Sequence, residues 1–187
     1  MIGFAFCGSF CSFERSVNVL SELVGAGMDV LPIMSETAYS TDTRFGAADA
    51  WKSKISALCG RDIIHTIVGA EPLGPKISLD ALVICPCTGN TLSKLASGMT
   101  DTAVCMAAKA HLRCDRPLII ALASNDALSA NLENIAALLK RKNIYFTPMK
   151  QDDPVSKPHS LVADFGKVSA TLSSALLGKQ PRPLFLE

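Results

Sequence analysis

Short, uninterrupted apolar runs recur along this chain of 187 residues, and segments with apolar side chains at helical spacing separate them. A strand needs such a run when both of its faces are buried, because neither row of side chains then meets water. Strands of this kind that alternate with helices form a parallel sheet with helices on both faces. The predicted strands are Ile2–Phe6, Asp29–Met34, a weak one at Ile63–Thr66, Leu79–Cys85, Pro117–Ala123 and Tyr145–Met149.

Helical periodicity accounts for most of the remaining chain. We therefore predict a single α/β domain over residues 1–187, a doubly wound three-layer sandwich of the Rossmann-like or flavodoxin-like type. Residues 179–187 contain two prolines and are expected to form an extended C-terminal arm, and Lys150–Ser160 is expected to form a polar loop. The predicted helices are Ser12–Gly25, Ser35–Cys59 with a break at Asp42–Gly46, a short helix beginning near Thr91, Thr102–Leu112, Ala130–Arg141 and Leu161–Leu177.

Composition excludes several classes of protein. Apolar residues make up 49% of the chain, charged residues 19%, and the net charge is +1, so a nucleic-acid-binding surface is not expected. No apolar run is long enough to span a bilayer, and the N-terminal segment Met1–Phe13 lacks the preceding basic residues of a signal peptide. We therefore expect a cytoplasmic protein, and its apolar composition leaves surface that a second copy could cover in a homo-oligomer.

The seven cysteines are expected to be reduced thiols, because the count is odd and no secretion signal precedes them. Cys85 and Cys87 have the close spacing of zinc ligands, but no second pair at a suitable spacing completes a tetrahedral site. We predict no metal site.

Polar residues follow four of the predicted strands, where the carboxyl ends of a parallel sheet meet and bind ligands. Cys85–Asp101 is the most informative of these segments, because it leads from a strand into a helix through small hydroxyl and amide residues. Free N–H groups and the helix dipole at such a point bind phosphate. The turn after the first strand lacks both the dinucleotide and the Walker glycine patterns. The residues predicted to hold a phosphorylated cofactor are Gly8, Ser9, Ser35, Cys87, Thr88, Asn90, Thr91, Ser124 and Asn125.

The same segment resembles the flavoprotein superfamily, which includes flavin prenyltransferases and flavin-containing cysteine decarboxylases. The resemblance lies in Cys85-Pro86-Cys87-Thr88, in Thr91-Leu92 and in the Gly-x-x-Asp of residues 98–101, and it continues through residues 127–134. It implies a flavodoxin-like fold with FMN as the cofactor.

Two parts of the superfamily pattern are missing. Prenyltransferases carry an Arg-Glu pair where this chain has Ala123-Ser124-Asn125-Asp126, so the cation that would hold a prenyl phosphate is absent. The decarboxylase motif Pro-x-Met-Asn is retained only as Asn125, and no histidine lies early in the first helix to act as a base. The resemblance therefore implies an FMN site, whereas the residues for prenyl transfer and for decarboxylation do not carry over cleanly.

Over nearly its whole length the chain is similar to the B subunits of dipicolinate synthase from spore-forming bacteria, one branch of this superfamily. The resemblance implies a cytoplasmic protein that works with a separate A subunit, which has a nicotinamide-nucleotide fold. Together they would convert a hydroxylated tetrahydrodipicolinate to dipicolinate during sporulation. The segments that carry the resemblance are residues 41–46, 123–126, 141–146, 151–154 and 157–164.

A substrate with two carboxylates requires cations near the flavin. Arg44 is the first candidate, and Lys157 and His159 on the proline-bounded loop come next. No residue is an evident general base, so the catalytic residues stay unassigned. Two alternatives remain open: an independent FMN enzyme of the prenyltransferase or decarboxylase type, and a non-catalytic scaffold for the A subunit.

Overall fold

The apolar runs form the centre of a seven-stranded mixed sheet in the computed structural model, which describes residues 1–187. The strand order is β2-β1-β3-β4-β7-β6. Strand β5 lies outside this order and pairs with the first half of β4. Strands β1 to β5 are parallel, whereas β7 runs antiparallel to both β4 and β6. The strands are β1 (Ile2–Phe6), β2 (Val30–Met34), β3 (Ala81–Cys87), β4 (Leu118–Ser124), β5 (Ile144–Phe146), β6 (Met149–Lys150) and β7 (Leu161–Ala163).

Helices cover both faces of the sheet, which confirms the predicted α/β fold class. They are α1 (Phe13–Gly25), α2 (Glu36–Ser40), α3 (Ala48–Cys59), α4 (Ile67–Ala70), α5 (Gly89–Ser97), α6 (Ala103–Leu112), α7 (Leu132–Leu139) and α8 (Val168–Leu176). The alternation of side chains along β1 shows how the two faces are covered. Phe4 and Phe6 belong to one core cluster with residues of α1, α3 and α8, whereas Ala5 belongs to a second cluster with residues of α5, α6 and α7.

Strand β4 changes neighbours along its length, and this change shapes the functional end of the sheet. Its first half pairs in parallel with β5, from Leu118 opposite Ile144 to Ile120 opposite Phe146. Its last two residues, Ala123 and Ser124, pair instead with the antiparallel β7. The loop that connects β6 to β7 therefore lies beside the carboxyl end of β4.

Three predicted elements were wrong in detail. Ile63–Thr66 is not a strand, because only Ile64 forms a single bridge, to Ile33. The helix predicted at Leu161–Leu177 begins at Val168, because residues 161–163 pair with β4 and β6 and a 3-10 turn at Phe165–Lys167 follows. Met149 belongs to β6 and not to the strand that contains Tyr145.

The C-terminal residues lie against the edge of the sheet. The side-chain amide of Gln180 makes two hydrogen bonds to the backbone of Phe146. Its Nε2 donates to the carbonyl of Phe146 at 2.7 Å, and its Oε1 accepts from the N–H of Phe146 at 2.8 Å. Met149 donates to the carbonyl of Leu184 and accepts from the N–H of Leu186, both at 2.9 Å. None of the helices is both long and apolar enough to cross a membrane.

His111 on α6 should make the stability of the fold dependent on pH. It is buried, its Nε2 lies 2.9 Å from the carbonyl of Pro117, and its Nδ1 has no partner. Burial lowers the pKa of His111, although the bond to Pro117 opposes this effect. In the unfolded chain the pKa of a histidine is about 6.5, so the unfolded state binds more protons as the pH falls below that value.

We therefore expect the free energy of unfolding to decrease as the pH is lowered from about 7.5 through 6.5. His111→Gln, which can still donate to Pro117, should lose this part of the pH dependence. Urea unfolding at several pH values measures the effect. His65→Gln is the control and should keep the pH dependence of the wild type. If both variants lost the same part of the pH dependence, the assignment to His111 would be contradicted.

Candidate functional site

The loops that follow β1, β3 and β4 line a cavity of about 920 Å³ that is open to solvent at the carboxyl edge of the sheet. Parallel strands bring these ends together, so residues distant in sequence line one space. The loop between β6 and β7 and the turn between α2 and α3 provide further lining residues. Ligand sites in proteins occupy about 300–1,000 Å³, so this cavity is near the upper end of that range.

The first turn of α5 faces the cavity with free N–H groups. Thr88 is the N-cap: its Oγ1 accepts from the N–H of Thr91 at 3.2 Å. The N–H groups of Gly89 and Asn90 have no acceptor within the chain, because they precede the first helical hydrogen bond. Both residues line the cavity, as does Thr88. The arrangement can bind an anion such as phosphate.

A hydrogen-bonded network at the end of β4 supports this turn. Asp126 Oδ1 accepts a hydrogen bond from Ser124 Oγ at 2.5 Å. Asn131 Nδ2 donates to both carboxylate oxygens of Asp126, each at 2.9 Å. These bonds, the one from Ser124 first, lower the pKa of Asp126 below its usual value. Asp126 is therefore an ionised acceptor that orients its neighbours and is a weak base.

Gly89 fits against that network because it has no side chain. A Cβ at this position would lie 2.5 Å from Ser124 Oγ, 2.7 Å from Asn131 Nδ2 and 2.8 Å from Asp126 Oδ1. Real Cβ contacts are not so short, so any other residue would force the helix start and the network apart.

The turn at residues 43–46 brings Arg44 and Phe45 to the cavity. Thr43 and Gly46 exchange two backbone hydrogen bonds, at 3.1 and 3.0 Å. The indole of Trp51 lies under Gly46, where a Cβ would come within 2.5 Å of Nε1. Trp51 thus supports the turn as a packing residue. The guanidinium of Arg44 lies 4.9 Å from the centre of the Phe45 ring.

The segment from Gly8 into α1 forms another side of the cavity. Ser12 Oγ accepts hydrogen bonds from Ser9 Oγ at 3.4 Å and from Arg15 Nη2 at 3.3 Å. The guanidinium of Arg15 also lies 4.7 Å from the centre of the Phe165 ring. This side of the cavity therefore offers a hydroxyl group and a cation that is held in place.

The β6–β7 loop is held by hydrogen bonds within the loop and by one to the segment after β4. Lys157 Nζ lies 3.0 Å from Asp152 Oδ2, and the carbonyl of His159 accepts from the N–H of Leu128 at 2.9 Å. Hydrogen bonds, from Ser160 first and then from Lys157, lower the pKa of Asp152. Lys157 therefore already has a carboxylate partner, whereas the side chain of His159 lines the cavity without one.

Most residues predicted to bind ligands meet at this cavity. Three do not line it: Ser35, Cys87 and Thr91 are buried. Ser35 Oγ caps α2 by accepting from Ala38 N–H, and Thr91 Oγ1 donates to Cys7 Sγ at 3.2 Å. The predicted residues that line the cavity are Gly8, Ser9, Thr88, Asn90, Ser124, Asn125, Arg44, Lys157 and His159.

The buried thiols are not nucleophiles. Burial raises the pKa of Cys7 and of Cys85 to about 12 and raises that of Cys87 well above its usual value. Such thiols stay protonated at neutral pH. No group of three His, Cys, Asp or Glu side chains is arranged to hold a metal ion.

Sequence reasoning missed other lining residues that lie close to the predicted ones. Most lie within a few positions of a predicted residue, so the sequence indicated the correct segments but not every lining residue in them. Arg15 is the exception, because a single arginine on an amphipathic helix is typical of surface charge. The missed residues are Phe10, Cys11, Ser12, Arg15, Phe45, Ala123, Asp126, Asp152, Ser156, Pro158, Ser160 and Val162.

Comparison with known proteins decides the family. The sequence model of the family described as Flavoprotein matches residues 1–176. The chain belongs to the flavoprotein family. It is 46% identical to the B subunit of dipicolinate synthase from Bacillus subtilis, over 100% of this chain and 93% of that protein.

Solved flavoprotein structures share the fold. The crystal structure of the dipicolinate synthase B subunit from Bacillus halodurans matches with a TM-score of 0.91 and 42% identity, covering 100% of this chain and 95% of the other. The FMN-dependent cysteine decarboxylase SpaF matches with a TM-score of 0.68 at 24% identity, covering 94% of each chain. The second likeness concerns the fold alone.

Replacing Gly89 with alanine should destabilise this flavoprotein, because the new methyl group would contact three polar atoms. We expect a loss of about 1–3 kcal/mol in the free energy of unfolding. Urea denaturation measures it. Gly25→Ala at the end of α1, where a Cβ would meet nothing within 4 Å, is the matched control and should be nearly neutral. Equal stability of Gly89→Ala and the wild type would show that α5 does not approach the network so closely.

Proposed function

We propose that this chain is the B subunit of a dipicolinate synthase and binds FMN in the cavity at the carboxyl edge of the sheet. It would act in the cytoplasm with an NAD(P)-dependent A subunit to convert a hydroxylated tetrahydrodipicolinate to dipicolinate during sporulation. The observation that carries the proposal is that the free N–H groups at the start of α5 and the polar residues after β1 and β4 line the same cavity. The full-length similarity to B subunits of this enzyme supports the choice of reaction.

The first turn of α5 supports the placement of the FMN phosphate. Gly89 and Asn90 offer unpaired backbone donors, and Thr88 and Asn90 line the same side of the cavity. A dianionic phosphate is favoured there by these donors and by the helix dipole. Ser9 and Asn125 on the neighbouring loops provide further polar groups.

The chemistry of the site favours this reaction over the alternatives. Loss of water and a two-electron oxidation turn the hydroxylated tetrahydro ring into the aromatic one, and FMN when bound supplies a two-electron acceptor. The protein would hold the dicarboxylate and exclude water. Prenyl transfer is disfavoured because Asp126, an ionised carboxylate, occupies the segment where prenyltransferases have a cation.

The proposal includes two kinds of partner chain, the A subunit and further copies of this chain. The A subunit would supply the nicotinamide nucleotide, and further copies of this chain would form a homo-oligomer. Exposed apolar side chains such as Val68 and Leu177 provide surface that another copy could cover. A non-catalytic scaffold is the competing function, and it requires no cofactor in the cavity.

Thr88→Ala should weaken FMN binding about tenfold or more, because the variant loses the cap that holds the free N–H groups of Gly89 and Asn90 in place at the helix start. Fluorescence titration with FMN measures the dissociation constant. Thr102→Ala is the matched control: Thr102 caps α6 through the same contact, to Cys105 N–H at 3.1 Å, but lies outside the cavity. Both variants should lose about 1 kcal/mol of stability, and only Thr88→Ala should lose FMN affinity.

Reconstitution tests the function as a whole. The chain and the A subunit together should form dipicolinate from the hydroxylated tetrahydrodipicolinate, and FMN-free chain should restore activity only after FMN is added. Full activity of the A subunit without this chain would contradict the proposal. Full activity with a chain that binds no FMN would favour the scaffold.

A further inference from the structure

Two arginines that line the cavity have no carboxylate partner. The chain contains six ion pairs, and neither Arg15 nor Arg44 takes part in any of them. Each guanidinium lies instead against an aromatic ring, Arg15 on Phe165 at 4.7 Å and Arg44 on Phe45 at 4.9 Å. A cation–π contact of this kind orients the guanidinium, and those of its N–H groups that make no hydrogen bond within the chain remain available to an anion.

The other charges around the cavity are already neutralised or committed. Lys157 is paired with Asp152 at 3.0 Å, and Asp126 accepts from Ser124 and Asn131. The two arginines therefore provide the positive charge that a ligand can still use. They come from separate parts of the chain, Arg15 from the first turn of α1 and Arg44 from the turn before α3.

Arg15 is exposed, but its guanidinium makes two contacts within the chain. Its Nη2 donates to Ser12 Oγ at 3.3 Å, and its ring partner Phe165 is almost fully buried. Arg15 also lines a second, smaller cavity of about 260 Å³ that shares Asp152 and Val162 with the first. Arg15 therefore lines both spaces and borders the main cavity.

We propose that Arg15 is a substrate-binding residue that forms a carboxylate clamp with Arg44, each arginine binding one carboxylate of a planar dicarboxylate ring. The inference rests on the proposed function and specifies its substrate site. A guanidinium binds a carboxylate with two parallel hydrogen bonds, which an ammonium cannot reproduce. The clamp therefore selects ligands with two carboxylates over ligands with one.

Calorimetric titration of the FMN-loaded chain with pyridine-2,6-dicarboxylate and with pyridine-2-carboxylate tests the clamp. The wild type should bind the dicarboxylate at least tenfold more tightly than the monocarboxylate. Arg15→Met and Arg15→Lys should weaken dicarboxylate binding tenfold or more and reduce this preference, while the dissociation constant for FMN changes less than twofold. Arg113→Met, at an exposed arginine outside the cavity, is the control and should match the wild type.

The variants separate a binding role from a structural one. Methionine keeps an aliphatic stem on Phe165, and lysine keeps the charge, so a loss in both variants with unchanged urea unfolding points to the bidentate contact. Unchanged preference in Arg15→Met would overturn the inference. A loss of FMN affinity that parallels the loss of dicarboxylate affinity would also overturn it, because Arg15 would then serve the cofactor.

Titration without FMN separates the clamp from the proposed function. Arg15-dependent dicarboxylate binding by a chain that binds no FMN would support the clamp and contradict the FMN site. FMN binding and dipicolinate formation that are insensitive to Arg15 would leave the proposed function in place and remove the clamp.

Discussion

The close approach of α5 to the end of β4 is the contact on which the site depends. Gly89 lies against Ser124, Asp126 and Asn131 with no room for a side chain. This contact places the free N–H groups of the helix start next to the loop after β4. The parallel pairing of β3 with β4 brings the two loops side by side, and the close approach at Gly89 fixes the helix start against the network at the end of β4.

Charge is divided between two regions of the cavity. The helix start offers backbone donors and small polar side chains, which suit a phosphate. Arg15 and Arg44 lie on other segments and suit carboxylates, since each is oriented by an aromatic ring and lacks an internal partner. The cavity of about 920 Å³ is near the upper end of the range for ligand sites, and the division of charge agrees with the proposed FMN and dicarboxylate ligands.

Much of the fold could be predicted from the sequence, because strands buried on both faces leave long apolar runs. Strand β1 was predicted with the bounds that it has in the structure, and the parallel sheet with helices on both faces followed from the alternation. The short strands β6 and β7 could not be predicted this way. Leu161–Ala163 has three residues and precedes a helical pattern, and only its pairing with Ser124 and Met149 makes it a strand.

The site was predictable to a similar extent and for related reasons. Thr88 and Asn90 follow a strand and begin a helix, which is a local signal, and the structure places both at the cavity. Asp126 was missed because its importance arises from contacts with Asn131 and Gly89 that the sequence does not display. Arg15 was missed because its ring partner, Phe165, lies far along the chain.

A crystal structure of the chain with FMN tests the central claim most directly. We predict that the phosphate is hydrogen-bonded to backbone N–H groups in the first turn of α5, beside Thr88 and Asn90. Phosphate bound by Arg15 or Arg44, with the start of α5 in contact with solvent alone, would contradict this placement.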